Sequence, residues 1–146
     1  MTTTLAGPTI LDVLASRMPP GLELQLPPPC LLDMQAEWLE YVEGVQLTMR
    51  FPVLPRYRNP LGYMQGGFIV AALDNTIGPF SFLIAPPSVT SQLNISYLRP
   101  VTREQTWLTC TATVIERTRK TLFLAGAARD DGGKVAAMAQ AVCQIL

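Results

Sequence analysis

Residues whose side chains or backbone could take part in catalysis lie within and just before one apolar stretch. Asn59, Gln65 and the glycine pair Gly66-Gly67 precede the stretch, and Asp74 interrupts it. A carboxylate can act as a general base or a nucleophile, and amides both donate and accept hydrogen bonds. An ionised Asp among apolar residues needs a partner or a catalytic purpose. The pattern indicates a functional carboxylate at Asp74, although a carboxylate satisfied by a structural network across a dimer fits it as well.

The absence of one residue type restricts the chemistry further, because the chain contains no histidine. Ser-His-Asp and Cys-His relays and histidine-ligated metals are excluded. The three cysteines, Cys30, Cys110 and Cys143, are widely spaced and odd in number, which is typical of reduced thiols in a cytoplasmic protein. If the protein is an enzyme, we expect carboxylates, amides, hydroxyls and backbone N–H groups to act without a metal or an organic cofactor.

Composition favours a self-associating protein that binds neither nucleic acid nor membrane. Of the 146 residues, 49% are apolar and only 15% are charged, below the ~25% that is usual for soluble domains. Such a surface predicts a homo-oligomer that buries part of its apolar exterior. Eleven basic and eleven acidic residues balance, without a block of like charge, so no electrostatic basis for binding nucleic acid or an anionic membrane is present. No positive region precedes the first apolar residues, so a secretory signal is not expected.

The element that must position Asp74 is one long central helix within residues 59–87. Turn residues open this stretch and Pro86-Pro87 closes it, and the proline at 79 predicts a regular helix from about Gly67 to Pro79. Apolar residues cover every face, which is typical of a helix enclosed by protein. Asp74 and the Gly78-Pro79 pair argue against a membrane span.

Strand patterns flank this helix on both sides. Thr9 is the predicted N-cap of a short helix, and a proline-rich segment completes a lead-in over residues 1–34. Alternation and β-propensity then predict strands in the following segments: two within 36–49 around Gly44, and one each in 89–98, 106–118, 121–129 and 134–146. The order predicts one α+β domain spanning 1–146, with an antiparallel sheet of five to six strands wrapped around the helix.

The joint spacing of these residues resembles a known family. Asn59, Gly62, Gln65-Gly66-Gly67 and Asp74, followed by the run LNISYLRP at 93–100, are similar to hotdog-fold acyl-CoA thioesterases of the phenylacetate-pathway type, in the 4-hydroxybenzoyl-CoA thioesterase superfamily. Their motif reads approximately N-x-x-G-x-x-H-G-G, followed seven residues later by D. The resemblance covers about residues 35–146. It implies a hotdog fold and hydrolysis of acyl-CoA to the free acid and CoA.

The resemblance also implies roles for individual residues. The backbone N–H of Gly66 would stabilise the oxyanion, and Asp74 would be the nucleophile or the general base that activates water. Asn59 would lie near the thioester sulfur, and Thr90 falls where related enzymes orient the attacking water. In this family two helices pair in a dimer, and the carboxylate comes from the opposite subunit. The resemblance therefore implies a homodimer or homotetramer with the active site at the subunit interface. A cytoplasmic location without nucleic-acid or membrane partners fits the same interpretation.

The chain departs from the motif at one position, where Gln65 replaces histidine. Glutamine can still donate to or accept from neighbouring groups, but it cannot shuttle protons as imidazole does. The replacement keeps a second interpretation open, a non-catalytic hotdog module that binds acyl-CoA or acyl-carrier ligands. A hotdog dehydratase or isomerase fits poorly, because such sites commonly pair a histidine with a carboxylate.

Structural interpretations remain open for the other candidate residues. Gly66-Gly67 suits close helix packing, Asn59 before Pro60 suits a turn, and Thr90 suits an ordinary strand position. Three basic residues could contact the phosphates of CoA or simply form a solvated hairpin turn: Arg117, Arg119 and Lys120. An aromatic group could line an acyl pocket or belong to the core: Tyr63, Phe80 and Phe82.

Overall fold

A computed structural model of the chain describes residues 2–146 and shows one antiparallel sheet around a long helix. The strands are β1 Thr4–Ala6, β2 Glu37–Val42, β3 Gln46–Pro52, β4 Ser88–Tyr97, β5 Trp107–Arg117, β6 Thr121–Arg129 and β7 Val135–Ile145. The helices are α1 Gly7–Ser16, α2 Pro29–Asp33 and α3 Gly66–Ile84. The sheet order is β1-β2-β3-β5-β6-β7-β4, and α3 packs against one face. This is the hotdog arrangement that the resemblance implied.

The N-terminal segment differs from the prediction in two ways. The sheet has seven strands rather than five to six, because β1 pairs antiparallel with β2, with Thr4 opposite Val42. A strand of three residues is too short to show alternation, so its pattern carries no signal. Thr9 is not the N-cap of α1, because the helix begins at Gly7 with Ala6 at the cap position and a proline in its first turn. A proline there sets the helical φ without losing an intrahelical hydrogen bond.

The central helix α3 is longer than predicted, continuing through Pro79 to Ile84. Beyond the proline, Phe80 and Leu83 are fully buried, and Phe80 makes an edge contact with Tyr41 at 6.4 Å between ring centroids. Burial of each large apolar side chain contributes about 1.5–3 kcal/mol, and together they offset the ~3 kcal/mol cost of an interior proline. The helix ends just before Pro86-Pro87, which closes the apolar stretch.

One side of α3 packs closely on the sheet while the other stays open. At Gly126 of β6, an added Cβ would lie 3.1 Å from Ile77 Cδ1 and 3.2 Å from Leu73 Cδ2, so glycine permits the close approach of the helix. Phe68 and Asp74, in contrast, are exposed, and the prediction that protein encloses every face of α3 is wrong for the single chain. The length and composition of α3 would by themselves also allow a membrane span, as they do for many core helices.

Candidate active site

The loop that precedes α3 is held by the side chain of Asn59. Its Oδ1 accepts hydrogen bonds from the backbone N–H of Leu61 at 3.0 Å and of Tyr63 at 3.1 Å. The Asn59 N–H donates to the Tyr63 carbonyl at 2.7 Å, and the Gln65 N–H donates to the Tyr57 carbonyl at 2.7 Å. These bonds fix the path of the chain into the helix, so Asn59 has the turn-forming role that its type permits.

The first residues of α3 present backbone donors without partners. Gln65 is the N-cap residue, but its side chain makes no capping hydrogen bond. Among residues 2–146, neither the Gly66 N–H nor the Gly67 N–H has a hydrogen-bond acceptor. Such N–H groups, aligned with the helix dipole, favour an anion. Gly66 and Asn59 line the same cavity of about 440 Å³, so the structure brings these two predicted residues together.

The side chain of Tyr97, the last residue of β4, packs against Gly66. Its hydroxyl donates to the Gly66 carbonyl at 2.9 Å. A Cβ at position 66 would lie 2.8 Å from that hydroxyl oxygen and 3.0 Å from the ring carbon that bears it, so only glycine fits without displacing the ring. The contact joins residues 31 positions apart, so the spacing of the sequence carries no signal for it.

The second group of predicted residues lies near the middle of α3. The Thr90 hydroxyl donates to Asp74 Oδ1 at 3.3 Å, and both residues are exposed. Thr90 is at the bulge of β4, where the register with β7 shifts, and it pairs with Cys143. A bulge re-aims the side chain that carries it. The structure therefore brings Asp74 and Thr90 together, as the predicted roles require.

The cysteine beneath this second group is not activated as a nucleophile. Cys143 Sγ lies 3.9 Å from Thr90 Oγ1, and burial raises the pKa of its thiol. The Asp74 carboxylate raises that pKa further, whereas the hydrogen bond with Thr90 partly lowers it. Burial also raises the pKa of Cys110, to about 12. Both thiols therefore stay protonated at neutral pH. Because only a thiolate attacks a substrate, neither cysteine is a candidate nucleophile.

The two groups of residues do not meet within one chain. Asp74 is eight positions beyond Gly66 on the same helix, which places them ~12 Å apart at ~1.5 Å per residue. They also line different cavities, since Asp74 and Thr90 border a separate space of about 540 Å³. Among residues 2–146, no group of three Asp, Glu or Cys side chains is placed to hold a metal ion.

The predicted phosphate-binding cations lie at the far end of α3. Arg117 Nη1 donates to the carbonyl of Ile84 at 2.7 Å, which suits a cation at a helix C-terminus. Ile84 is eighteen positions beyond Gly66, or ~27 Å along the helix axis. Arg119 and Lys120 are exposed beside Arg117. The structure does not bring these three residues to the other candidates of the same chain.

The three aromatic residues of the sequence analysis do not form one cluster. Phe80 is fully buried in the core, so core packing explains it. Phe82 borders the cavity of Asp74, whereas Tyr63 borders the cavity of Gly66. Only Phe82 therefore lies where a substrate tail beside the carboxylate could contact it.

Comparison with known proteins identifies the family. The family model described as the thioesterase superfamily matches residues 61–137, more than half of the chain. The E. coli PaaI protein from the phenylacetic acid degradation operon superposes with a TM-score of 0.77 at 18% identity, covering 82% of this chain and 85% of its own. No curated protein matches the chain.

Two further solved structures share the fold. Thioesterase HI1161 from Haemophilus influenzae has a TM-score of 0.72 at 21% identity, with 80% of this chain and 81% of that chain covered. The smu.793 protein of Streptococcus mutans, solved bound to acetyl-CoA, has a TM-score of 0.70 at 19% identity, with 75% and 86% covered. The matched residues include Gln65, Gly66, Asp74 and Thr90. The chain belongs to the thioesterase superfamily.

Proposed function

We propose that the protein hydrolyses acyl-CoA thioesters to the free acid and CoA. The observation that carries this proposal is the pairing of two features on α3, unpartnered N–H donors at its start and the Asp74 carboxylate bonded by Thr90. Family membership supports thioester hydrolysis in general. The acetyl-CoA bound to the Streptococcus mutans protein supports CoA as the thiol component.

In the proposed mechanism, Asp74 acts as the general base. Asp74 takes a proton from water as the water oxygen attacks the thioester carbonyl carbon, and Thr90 orients that water. The carbonyl oxygen becomes an oxyanion that accepts a hydrogen bond from the Gly66 N–H, with the helix dipole adding to its stabilisation. The C–S bond then breaks and CoA leaves as the thiolate. Asn59 lies beside the sulfur, and Gln65 contributes a neutral amide in place of the family's histidine.

We infer that one active site uses two copies of the chain. The ~12 Å between Gly66 and Asp74 is too long for both to act on one carbonyl carbon. A homodimer, or a homotetramer of such dimers, would place Asp74 of one copy beside Gly66 of the other. The open face of α3 and the exposed apolar residues support burial against a second copy.

The proposal also gives a role to the three cations beyond the end of α3. Arg119 and Lys120 contact CoA phosphates as exposed cations, with Arg117 beside them. Because Arg117 already bonds the end of α3, its contribution to CoA binding is smaller than that of the other two. The chain functions as one hotdog domain over residues 1–146, in the cytoplasm, without a metal or an organic cofactor.

One observation favours a second candidate function, a non-catalytic module that binds acyl-CoA or acyl-carrier ligands. Gln65 cannot transfer a proton, although the family motif has histidine there. Thermal melting with CoA and with a non-hydrolysable acyl-CoA analogue separates the two functions. Stabilisation by both compounds, together with no thiol release from any acyl-CoA, would favour the binding module.

The proposal is tested by measuring thiol release from short, medium, long and aromatic acyl-CoAs. Wild-type protein should release CoA from at least one class, and Asp74→Asn should lower kcat by about 10²–10⁴-fold, the usual contribution of a general base. The control is Asp12→Asn, which removes an exposed carboxylate on α1 far along the chain from α3. Activity of Asp74→Asn close to that of the control, with both proteins folded, would contradict the role of Asp74.

A further inference from the structure

The cavity beside Asp74 has the size and lining of a site for an apolar group. It measures about 540 Å³ and lies between the middle of α3 and the lead-in segment. Most of its lining is apolar: Leu24, Leu26, Leu31, Trp38, Pro79 and Phe82. Pockets of roughly 300–1,000 Å³ with such walls enclose most of a small organic ligand, whereas an acetyl group would leave most of this space unfilled.

The wall that the lead-in segment contributes is fixed to α3. Leu31 and Met34 are buried, at 2% and 6% exposure. The Cys30 thiol donates to Asn75 Oδ1 at 3.3 Å, and Asn75 Nδ2 donates to Met34 Sδ at 3.4 Å. This tether lies next to Asp74 on the helix, and it holds a segment that precedes the residues matched by the family model. The cavity is therefore built partly by residues outside the segment that the family model matches.

Gly78 leaves open space next to the helix on the side of the cavity. Glycine is among the least favourable residues in a helix interior, yet Gly78 lies in the middle of α3. Apart from its chain neighbours and the nearby helix backbone, a Cβ added at Gly78 would have no atom within 4 Å, and the φ of Gly78 is not positive. Gly126 differs, since packing against Ile77 and Leu73 requires its missing side chain. A residue before a proline is strained in helical backbone by contact of its Cβ with the proline ring, so glycine at 78 suits Pro79. The volume that Gly78 leaves belongs to the cavity.

The charged residues around the cavity have one sign. Glu23 and Asp74 are the charged side chains of its lining, and both are carboxylates. A ligand tail that ended in a second carboxylate would be repelled by both, without a lysine or arginine of the lining to compensate it. The cavity therefore suits an uncharged apolar group.

We propose that this cavity binds the tail of the acyl group, so that the substrates are uncharged, apolar acyl thioesters of medium chain length. Gly78 and Phe82 set the length of tail that fits, and the lead-in residues 23–31 form the wall opposite α3. The inference rests on the proposed hydrolysis of acyl-CoA and adds the class of acyl group.

The test measures kcat/KM of the full chain on acetyl-, butyryl-, octanoyl- and dodecanoyl-CoA, and on succinyl-CoA as the charged partner of butyryl-CoA. From butyryl to octanoyl, wild-type kcat/KM should rise by about fourfold per methylene, the equivalent of ~0.8 kcal/mol for each buried CH₂. Succinyl-CoA should be hydrolysed at least about tenfold less well than butyryl-CoA, because the charged side chains of the lining, Glu23 and Asp74, are both acidic.

Two variants with opposite effects on cavity size provide the internal control. Gly78→Leu fills the space, and should lower the ratio of octanoyl to butyryl kcat/KM by at least about tenfold. Phe82→Ala enlarges the space, and should shift the optimum towards dodecanoyl-CoA. Damage to the fold would lower kcat/KM on all substrates in proportion. It cannot shift the preferred chain length in opposite directions in the two variants.

Three results would overturn the inference. A flat chain-length profile in a wild-type protein that hydrolyses acyl-CoA would overturn it while leaving the proposed function intact. In the second such result, Gly78→Leu lowers kcat/KM equally on every substrate while sedimentation shows a smaller oligomer than wild type. That result would assign the space beside Gly78 to the helix of a partner subunit instead. Failure of wild-type protein to hydrolyse any acyl-CoA would overturn the proposed function and this inference together.

Discussion

The start of α3 and its middle are built from different kinds of groups. At the start, the Asn59 turn sets the path of the chain to the backbone N–H donors of Gly66 and Gly67, and Tyr97 packs against Gly66 and bonds its carbonyl. In the middle, the working groups are side chains, the Asp74 carboxylate and the Thr90 hydroxyl that donates to it. A backbone donor changes only when the chain path or the N–H itself changes, whereas a side-chain group is lost in one substitution. The two regions should therefore respond to mutation by different rules.

The largest effect at the start of α3 should come from Gly66→Pro. Proline is well accepted at the first position of a helix, and Gln65 before it already has the extended φ and ψ that precede proline. The substitution removes the N–H proposed to bind the oxyanion, and kcat should fall by about 10²–10³-fold, as when other oxyanion donors are removed.

The matched control for this prediction is Gly66→Ala, which keeps the N–H. Both substitutions push a Cβ against the Tyr97 hydroxyl, so the difference between them isolates the donor. Gly67→Ala gives a second control, because the added Cβ would meet only the flexible end of the Gln65 side chain, with Oε1 nearest at 2.8 Å. Equal kcat in the proline and alanine variants at position 66 would contradict the oxyanion role.

A smaller effect is expected in the middle of α3 from Thr90→Val. Valine keeps the shape of the side chain and removes the hydroxyl that bonds Asp74. A hydrogen bond of this kind contributes about 1 kcal/mol, so kcat should fall roughly fivefold. Thr90→Ser retains the hydroxyl and should keep most of the activity. If valine and serine lowered kcat equally, the hydroxyl would have no part in orienting water.

The smallest effect is tested without changing the sequence, by comparing the rates at which the three cysteines are alkylated. Burial raises the pKa of Cys143 and Cys110, so less thiolate is present at a given pH than for an ordinary thiol. At about pH 8, iodoacetamide should modify exposed Cys30 first, and modification of Cys143 should speed up as the pH rises towards its raised pKa. Peptide mass spectrometry measures each rate. If Cys143 reacted as fast as Cys30, the region beneath Thr90 would be accessible to solvent.

The sequence contained most of the fold because the relevant signals are local. Alternation marked β2 to β4, β-propensity and apolar content marked β5 and β6, and Gly44 marked the β2–β3 hairpin, where its φ is 69°. The continuation of the helix past Pro79 was not predictable locally, since it depends on the burial of Phe80 and Leu83 by distant residues. The three-residue β1 was missed because it is too short to carry a pattern.

The candidate site was predictable only as two separate parts. Sequence spacing indicated Gly66 and Asp74, and the structure shows which neighbours each one has. Contacts between residues far apart in the chain carried no signal, as with Tyr97 over Gly66 and the tether from Cys30 to Asn75. In the proposed mechanism the two parts combine through a second copy, which neither local spacing nor the fold of one chain specifies.

The central claim, that one active site takes Gly66 from one copy and Asp74 from another, is tested most directly by subunit complementation. Gly66→Pro and Asp74→Asn, each nearly inactive alone, are refolded together in equal amounts and assayed for thiol release. Random pairing in a two-fold symmetric dimer should restore about a quarter of wild-type activity, because half of the dimers carry one intact site. Activity that stays at the mean of the two separate variants, in a mixture shown to contain mixed dimers, would contradict the shared site.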